Sequence, residues 1–298
     1  MNLTQSLPQL LLVALALVML GVGLSLRWAD FQRLSEHPKA VILALALQML
    51  LLPAVCWGLA QGFGLSPVLA VGLMLLAASP GGVSANLFSH LFGGHVALNI
   101  SLTAINTLLS VLSMPLIANL ALQHFIGVGA VPLQMGKVAE VMAVVLGPVA
   151  IGMALARARP ALAARLEKPF KIFSAVVLAL LALGAIAKEW RALADSAAAI
   201  GGVVLIFNLL SLLSGYLCAR WIGLAKPMAT AISFEIGIHN STLALYIALS
   251  VLQDFQMALP AAAYSVSMYL VGTLFGLWLR RGAALSPPTA AGAAAARR

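Results

Sequence analysis

Charged side chains are scarce in this chain. Asp, Glu, Lys and Arg make up 8% of its 298 residues, and 62% of the residues are hydrophobic. Soluble domains carry about 25% charged residues, so this composition excludes an ordinary soluble fold. The apolar runs also leave no room for a soluble domain beside them. The sequence therefore predicts an all-α polytopic membrane protein.

Acidic residues and cysteines are scarcer still, with 8 Asp and Glu against 17 Lys and Arg, and 2 cysteines. Cys56 and Cys218 fall in apolar segments without metal-ligand spacing, which predicts packing roles. No P-loop or nucleophile–base motif is present, which argues against ATP coupling within this chain. The net charge of +9 does not indicate a nucleic-acid partner, because the basic residues stand in loops between apolar runs.

Nine apolar runs are each long enough to cross a bilayer, which takes roughly 20 residues. The predicted spans are about 6–26, 39–61, 67–92, 96–121, 137–156, 172–188, 198–219, 225–250 and 259–279. The first run lacks the basic segment and cleavage site of a signal peptide, so we expect a retained span. Residues 282–298 are rich in Ala and Pro and predict a disordered cytoplasmic tail.

The basic residues predict the orientation. With nine spans and an external N-terminus, 14 of the 17 lysines and arginines face the cytoplasm, and the exceptions are Lys137, Lys188 and Arg191. This asymmetry is the positive-inside pattern. We expect the C-terminus in the cytoplasm and the protein in a bacterial inner (plasma) membrane.

Two of the predicted spans, the third and the eighth, are interrupted. The third contains SPGGVSAN at 79–86 and the eighth contains EIGIHNST at 235–242. We expect the helix breaks at Pro80, Gly81, Gly82 and Gly237. The two spans lie five apart and so enter the membrane from opposite sides. Paired broken helices in oppositely oriented halves are typical of secondary transporters.

Glu235 is the one acidic residue predicted deep within a span, where a carboxylate costs at least a few kcal/mol. It is either a neutral side chain packed between helices or part of a cation or proton site. Oxygen-bearing side chains that could complete a cation site occur in other spans: Gln48, Asn86, Asn99 and Thr103. Each could instead make an interhelical hydrogen bond. His239 could neighbour the cation, couple protons or pack in the core.

Several motifs in order resemble the bile acid:sodium symporter family over about residues 6–281. They are GVGLSLRWADF (21–31), HPK (37–39), ASPGGVSANLFSHLFGGHVALNISLT (78–103) and EIGIHNSTLAL (235–245). The resemblance implies one transporter unit, 1–281, with an inverted-repeat fold in which spans 3 and 8 cross at their breaks. A panel domain would comprise about 6–26 and 137–188, and a core domain about 39–121 and 198–279.

The resemblance also implies Na⁺-driven uptake of an organic anion by alternating access, with two Na⁺ sites. The first site would use Asn86, Asn99, Thr103 and Glu235. The second would use Gln48, Glu235, His239 and the main-chain carbonyls of Ile236 and Ile238. The substrate cavity would be lined by Val83, Ser84 and Asn240.

The chain departs from similar bacterial symporters at four of these positions. Ala85 stands where they have Ser, Asn99 where they have Ser, His239 where Gln is common, and Val83 where Thr is frequent. An imidazole nitrogen is a poorer Na⁺ ligand than an amide oxygen. The coupling ion, Na⁺ or H⁺, therefore stays open.

The nature of the substrate and two other functions also stay open. The anion could be bile-acid-like or a small carboxylate such as pantoate. An efflux carrier of oxyanions on a similar fold would use a Cys near the first break, where this chain has Ala78, Ser79 and Pro80. An intramembrane enzyme or sensor would use Glu235 and His239 for acid–base chemistry.

Overall fold

The computed structural model describes residues 3–127, 135–166, 169, 172, 173, 176 and 190–284. This part of the chain is almost entirely helical, which confirms the prediction of an all-α protein, and it contains no strand longer than one isolated bridge. Most of the predicted sixth span, 172–188, and residues 285–298 of the predicted tail lie outside the described residues. Residues 282–284 continue the last helix.

Twelve α-helices have both ends within the described residues, and residues 160–166 are helical as well. The twelve helices are α1 (Leu3–Ser25), α2 (Trp28–Gln32), α3 (Pro38–Ala46), α4 (Leu52–Gly62), α5 (Pro67–Ala78), α6 (Val83–Leu91), α7 (Val96–Ala121), α8 (Met135–Ala158), α9 (Trp190–Trp221), α10 (Lys226–Gly237), α11 (Ser241–Tyr246) and α12 (Leu259–Ala284). π-Helical turns at Leu47–Leu51, Leu122–Ile126 and Ile247–Val251 join or extend α3, α7 and α11.

Five described stretches are long and apolar enough to cross a membrane: Pro38–Gly62, Val96–Ile126, Ala139–Ala158, Ile200–Trp221 and Gln256–Arg281. The stretches Leu15–Ser25 and Trp28–Glu36, bent by 75°, make a sixth if they are taken as one span. The predicted third and eighth spans do not pass as single helices, because each consists of two short ones. A total of nine stays a prediction.

The two interruptions have local chemical causes. Helix α5 ends at Ala78, and residues 79–82 contain Pro80, which lacks an amide proton, and two glycines. Helix α10 ends at Gly237, and α11 begins after Asn240, whose Oδ1 accepts a hydrogen bond from the Leu243 amide at 3.2 Å. This side-chain cap favours a new helix start over continuation of the old helix.

The interruptions meet each other. Gly81 and His239 form an antiparallel bridge. The Gly82 amide donates to the Ile238 carbonyl at 2.7 Å, and the Asn240 amide donates to the Pro80 carbonyl at 2.8 Å. Buried main-chain groups must find partners when water is absent. Each broken helix therefore satisfies main-chain groups of the other.

Helix α1 packs chiefly on α8, and the two approach closely at glycines. A Cβ atom on Gly23 would collide with the Val149 main chain, and one on Gly152 would collide with the main chain of Leu20 and Leu24. Small residues at such points allow helices to pack in membranes without a hydrophobic driving force. Elsewhere, α9 packs on α10 and α12, and α5 packs on α4 and α7.

Candidate functional site

Glu235, on α10, is fully buried. The Thr103 hydroxyl on α7 donates to Glu235 Oε2 at 2.6 Å, and Asn106 Nδ2, also on α7, donates to Oε1 at 2.9 Å. Among the residues that the structure describes, no Lys, Arg or His forms an ion pair with this carboxylate. A buried carboxylate without a positive partner is costly, so the site is suited to a small cation.

The first helix break lies directly against this carboxylate. A Cβ atom placed on Gly81 would collide with Oε1 and Cδ of Glu235. Glycine is therefore required at position 81 for the close approach of the 79–82 segment to α10. The break and the carboxylate form one packed unit.

Several buried side-chain atoms near this unit have no hydrogen-bond partner within the described residues. They include Gln48 Oε1, Asn86 Oδ1, Asn99 Oδ1, Asn106 Oδ1 and His239 Nε2. Leaving a buried acceptor unpaired costs about 1–3 kcal/mol. Four of these five atoms are amide oxygens, which are hard donors of the kind that Na⁺ prefers. The residues therefore fit a hard cation.

A second cluster surrounds Ser79 at the crossing, the place where segments 79–82 and 238–240 meet. Gln48 Nε2 donates to the carbonyls of Ala77 and Ser79 at 3.1 and 2.9 Å, and His239 Nδ1 lies 3.1 Å from the Ser79 carbonyl. The Asn240 amide donates to Pro80. In an unbroken helix the Asn240 amide would donate to the Ile236 carbonyl, and here it does not. The Ile238 carbonyl accepts a hydrogen bond from the Gly82 amide.

Three polar residues of this region were not identified as site residues from the sequence: Asn106, Asn208 and Tyr264. Asn208 Nδ2 and the Tyr264 hydroxyl both donate to the Gly237 carbonyl at 2.8 Å, so they hold the end of α10. The seven-residue spacing between Asn99 and Asn106 could have revealed Asn106 as a member of the same helix face.

A cavity of about 770 Å³ lies between α1 and the crossing. Its lining includes the predicted cavity residues Val83, Ser84 and Asn240, and also Asn86 and His239. The Ser84 hydroxyl lies 3.1 Å from the Tyr269 hydroxyl, which also lines the cavity. The structure thus brings the predicted cavity residues together beside the Gly81–His239 bridge.

The lining is apolar along much of its length and basic where α1 ends. Apolar lining side chains include Val18, Leu87, Val96, Ile100 and Met268. At the basic end, Arg33 pairs with the buried carboxylate of Asp30 at 2.8 Å, while Arg27 forms no ion pair with any described residue. Among the described lining residues, Arg27, Asp30 and Arg33 together carry a net charge of +1, which favours an amphipathic anion.

The two cysteines are remote from this chemistry. Cys56 is buried and its thiol donates to the Leu73 carbonyl, and Cys218 is partly buried. Neither is among the residues that line the cavity. Among the described residues, no cluster of three or more His, Cys, Asp or Glu side chains could hold a metal ion.

Comparison with known proteins identifies the family. The sequence profile of the sodium bile acid symporter family matches residues 12–196. The chain belongs to this family. The match covers the first break, and similarity to individual members extends over the second.

Similar proteins occur in bacteria, plants and animals. The chain is 28% identical to the uncharacterized sodium-dependent transporter YocS of Bacillus subtilis, over 89% of this chain and 81% of the relative. It is 28% identical to the probable chloroplastic sodium/metabolite cotransporter BASS1 of Arabidopsis thaliana, over 92% of this chain and 67% of the relative. It is 26% identical to the human ileal sodium/bile acid cotransporter, over 80% of this chain and 68% of the relative.

Family membership decides between the classes of function left open by the sequence. The symporter is an integral membrane transporter of a sodium-dependent family and not an enzyme. Na⁺ is the co-transported ion that the family implies. The hypothesis of an intramembrane enzyme is therefore wrong.

We predict that Gly81→Ala lowers the free energy of unfolding by about 1–3 kcal/mol, the usual cost of overpacking, because the new methyl group displaces Glu235. Gly58→Ala is the matched control, since nothing lies within 4 Å of a Cβ at that position. Thermal unfolding of the detergent-purified proteins measures the stability of Gly81→Ala, Gly58→Ala and the wild type. Equal melting temperatures for Gly81→Ala and the wild type would show that the carboxylate does not need this close approach.

Proposed function

We propose that this symporter couples Na⁺ to the inward transport of a carboxylate-bearing organic anion by alternating access. The observation that carries the proposal is the buried Glu235 carboxylate, which packs against the first helix break and lacks a described cationic partner. A bound cation at this position supplies the missing positive charge.

The first Na⁺ site comprises Asn86, Asn99, Thr103 and Glu235. The unpaired oxygens of Asn86 and Asn99 support it, as does the 2.6 Å contact between Thr103 and Glu235. Ala85 offers no hydroxyl, so amide and carboxylate oxygens provide most of this site.

The second Na⁺ site comprises Gln48, Glu235, His239 and the carbonyls of Ile236 and Ile238. Unpaired Gln48 Oε1 supports it, together with the Ile236 carbonyl, which the Asn240 amide does not engage. The Ile238 carbonyl has one lone pair left beside its bond to Gly82. His239 contributes only a nitrogen, which makes this site the weaker of the two.

The anion binds in the cavity between α1 and the crossing. Arg27 attracts its carboxylate, and the apolar lining accommodates its hydrocarbon part. Helix α6 begins at Val83 in the cavity wall, and its dipole adds positive potential there. A volume of about 770 Å³ accommodates a bile-acid-like solute as well as a small carboxylate such as pantoate.

The proposed topology has nine spans, with the panel and core boundaries inferred from the family resemblance, an external N-terminus and a bacterial inner membrane. Contacts between loops support it. The His95 amide donates to the Pro227 carbonyl, and the His37 and His95 rings make an edge-to-face contact, so three loops assigned to the cytoplasm meet. Gln61 and His124, both assigned to the outside, lie 3.1 Å apart.

Proton coupling is the second candidate, because His239 Nε2 is buried without a described partner at the edge of the cavity. In this alternative, His239 binds a proton in place of the Na⁺ at the second site, which is the weaker of the two. Outward transport of oxyanions has no such support, since neither cysteine lines the cavity.

The test of the cation site is Na⁺-dependent thermal stabilisation of the purified protein. A ligand that binds the folded state raises the melting temperature by mass action. We expect stabilisation by Na⁺ but not K⁺, and its loss in Glu235→Gln. Glu140→Gln is the matched control, because Glu140 is an exposed carboxylate paired with Lys137 at 3.0 Å. Stabilisation that depends on pH and not on Na⁺ would favour proton coupling.

The test of the anion site is uptake of cholate and pantoate into proteoliposomes under a Na⁺ gradient. Arg27→Gln should raise KM for the transported carboxylate about tenfold, as expected for loss of a charge-assisted hydrogen bond. Arg220→Gln removes a similar charge that does not line the cavity and should leave KM unchanged. An unchanged KM in Arg27→Gln would remove Arg27 from the anion site.

The test of topology uses cysteine labelling in a background that carries Cys56→Ala and Cys218→Ala. A membrane-impermeant maleimide applied to intact spheroplasts should label Gln123→Cys and spare Ser35→Cys, both at exposed positions. Permeabilised spheroplasts provide the control for reactivity at position 35. The opposite labelling pattern would reverse the orientation.

A further inference from the structure

One face of α7 turns toward the Glu235 carboxylate. Asn99, Thr103 and Asn106 follow one another at intervals of four and three residues, which aligns them on a helix. All three side chains are buried. Thr103 and Asn106 contact the carboxylate directly, and Asn99 Nδ2 donates to the Ala231 carbonyl, one turn before Glu235 on α10.

Only one of the two polar atoms of the Asn106 side chain has a hydrogen-bond partner among the described residues. Its Nδ2 atom donates to Glu235 Oε1 at 2.9 Å, but its Oδ1 atom has no partner among the described residues. Both atoms are bonded to the same carbon, so the unpaired oxygen lies close to the carboxylate. The hydroxyl of Thr103 shows that a donor to Glu235 need not bring an unpaired acceptor with it.

A buried, unpaired amide oxygen at position 106 is costly unless a ligand binds it in the functional state of the protein. Asn99 Oδ1, on the same face of α7, is unpaired as well. The side chains of Asn99 and Asn106 both face α10, where Glu235 lies, and each carries an unpaired carbonyl oxygen. A small hard cation held at the carboxylate accepts oxygen ligands of this kind. Neutral amide ligands also add coordination without adding a second negative charge.

We infer that Asn106 Oδ1 is a direct ligand of the cation bound at Glu235. The inference rests on the proposed function and extends its first site, to which neither the motifs nor the family resemblance assigned Asn106. The terminal amide can rotate about its Cβ–Cγ bond, because its oxygen and nitrogen are nearly equal in size. In the cation-bound state this rotation directs the oxygen to the cation, and the cation replaces the amide as the partner of the carboxylate.

The experiment compares Asn106→Leu and Asn106→Ser with the wild type in the Na⁺ stabilisation assay. The Leu variant keeps the side-chain volume and removes the oxygen, and the Ser side chain is too short to reach a cation held at Glu235. We expect the Na⁺ concentration for half-maximal stabilisation to rise at least tenfold in both. Asn106→Asp keeps an oxygen at this position and should restore Na⁺ binding.

Thr107→Val is the matched control for a structural defect in α7. Thr107 donates to the Thr103 carbonyl at 2.7 Å, and no hydrogen bond joins it to Glu235 within the described residues. It should lower the melting temperature without Na⁺ and leave the Na⁺ dependence unchanged. The ratio of Li⁺ to Na⁺ affinity adds a second readout, because removal of one ligand changes the preferred ion size, whereas a purely structural role leaves it constant.

Each outcome has one interpretation. If Glu235→Gln abolishes the Na⁺ effect and both Asn106→Leu and Asn106→Ser retain wild-type Na⁺ dependence and ion preference, Asn106 is not a ligand and the proposed function stands. If Asn106→Leu fails to fold, Asn106→Ser decides the question alone. If the wild type shows no Na⁺ effect, the proposed function itself fails, whatever the Asn106 variants do.

Discussion

The crossing of two broken helices is the constraint on which the rest of this structure depends. Main-chain groups freed by the breaks cannot be hydrated within a bilayer, so each break must find its partners in protein. The pairs Gly82–Ile238 and Pro80–Asn240 provide them. Asn208 and Tyr264 engage the freed Gly237 carbonyl in the same way. The helices around the crossing thus supply hydrogen-bond partners for the main-chain groups at the two breaks. Without these partners, interrupting either helix inside the membrane would be too costly.

The crossing also explains why a carboxylate is tolerated at full burial. Glu235 has donors on α7 and a glycine where a side chain would otherwise displace it. These neutral contacts reduce the cost of burial but do not neutralise a charge. Unpaired amide oxygens near the crossing add acceptors where the local charge is already negative. Under the proposed function, a bound cation supplies the positive charge that these neutral donors do not provide.

The sequence predicted those features that depend on local chemistry. Pro80 and the adjacent glycines indicated the first break, and the density of apolar residues indicated the helical membrane fold. The partners across the crossing are about 156 residues apart, as with Gly82 and Ile238, so composition alone could not pair them. Asn106 went unassigned because an amide in an apolar helix has many satisfactory orientations. Only the packed structure shows which of its atoms lacks a partner.

The proposed cation site at Glu235 and the proposed anion cavity lie close together, which bears on how their binding is coupled. Gly81 contacts the Glu235 carboxylate, whereas the next residue, Gly82, lines the cavity. His239 pairs with Gly81 and also lines the cavity. In this proposal, a cation bound by Glu235, Asn99 and Thr103 acts on the same main-chain segment that the anion contacts. Under the proposed function, coupling needs no long pathway, because one peptide unit separates the two sites, and either ligand favours the geometry that binds the other.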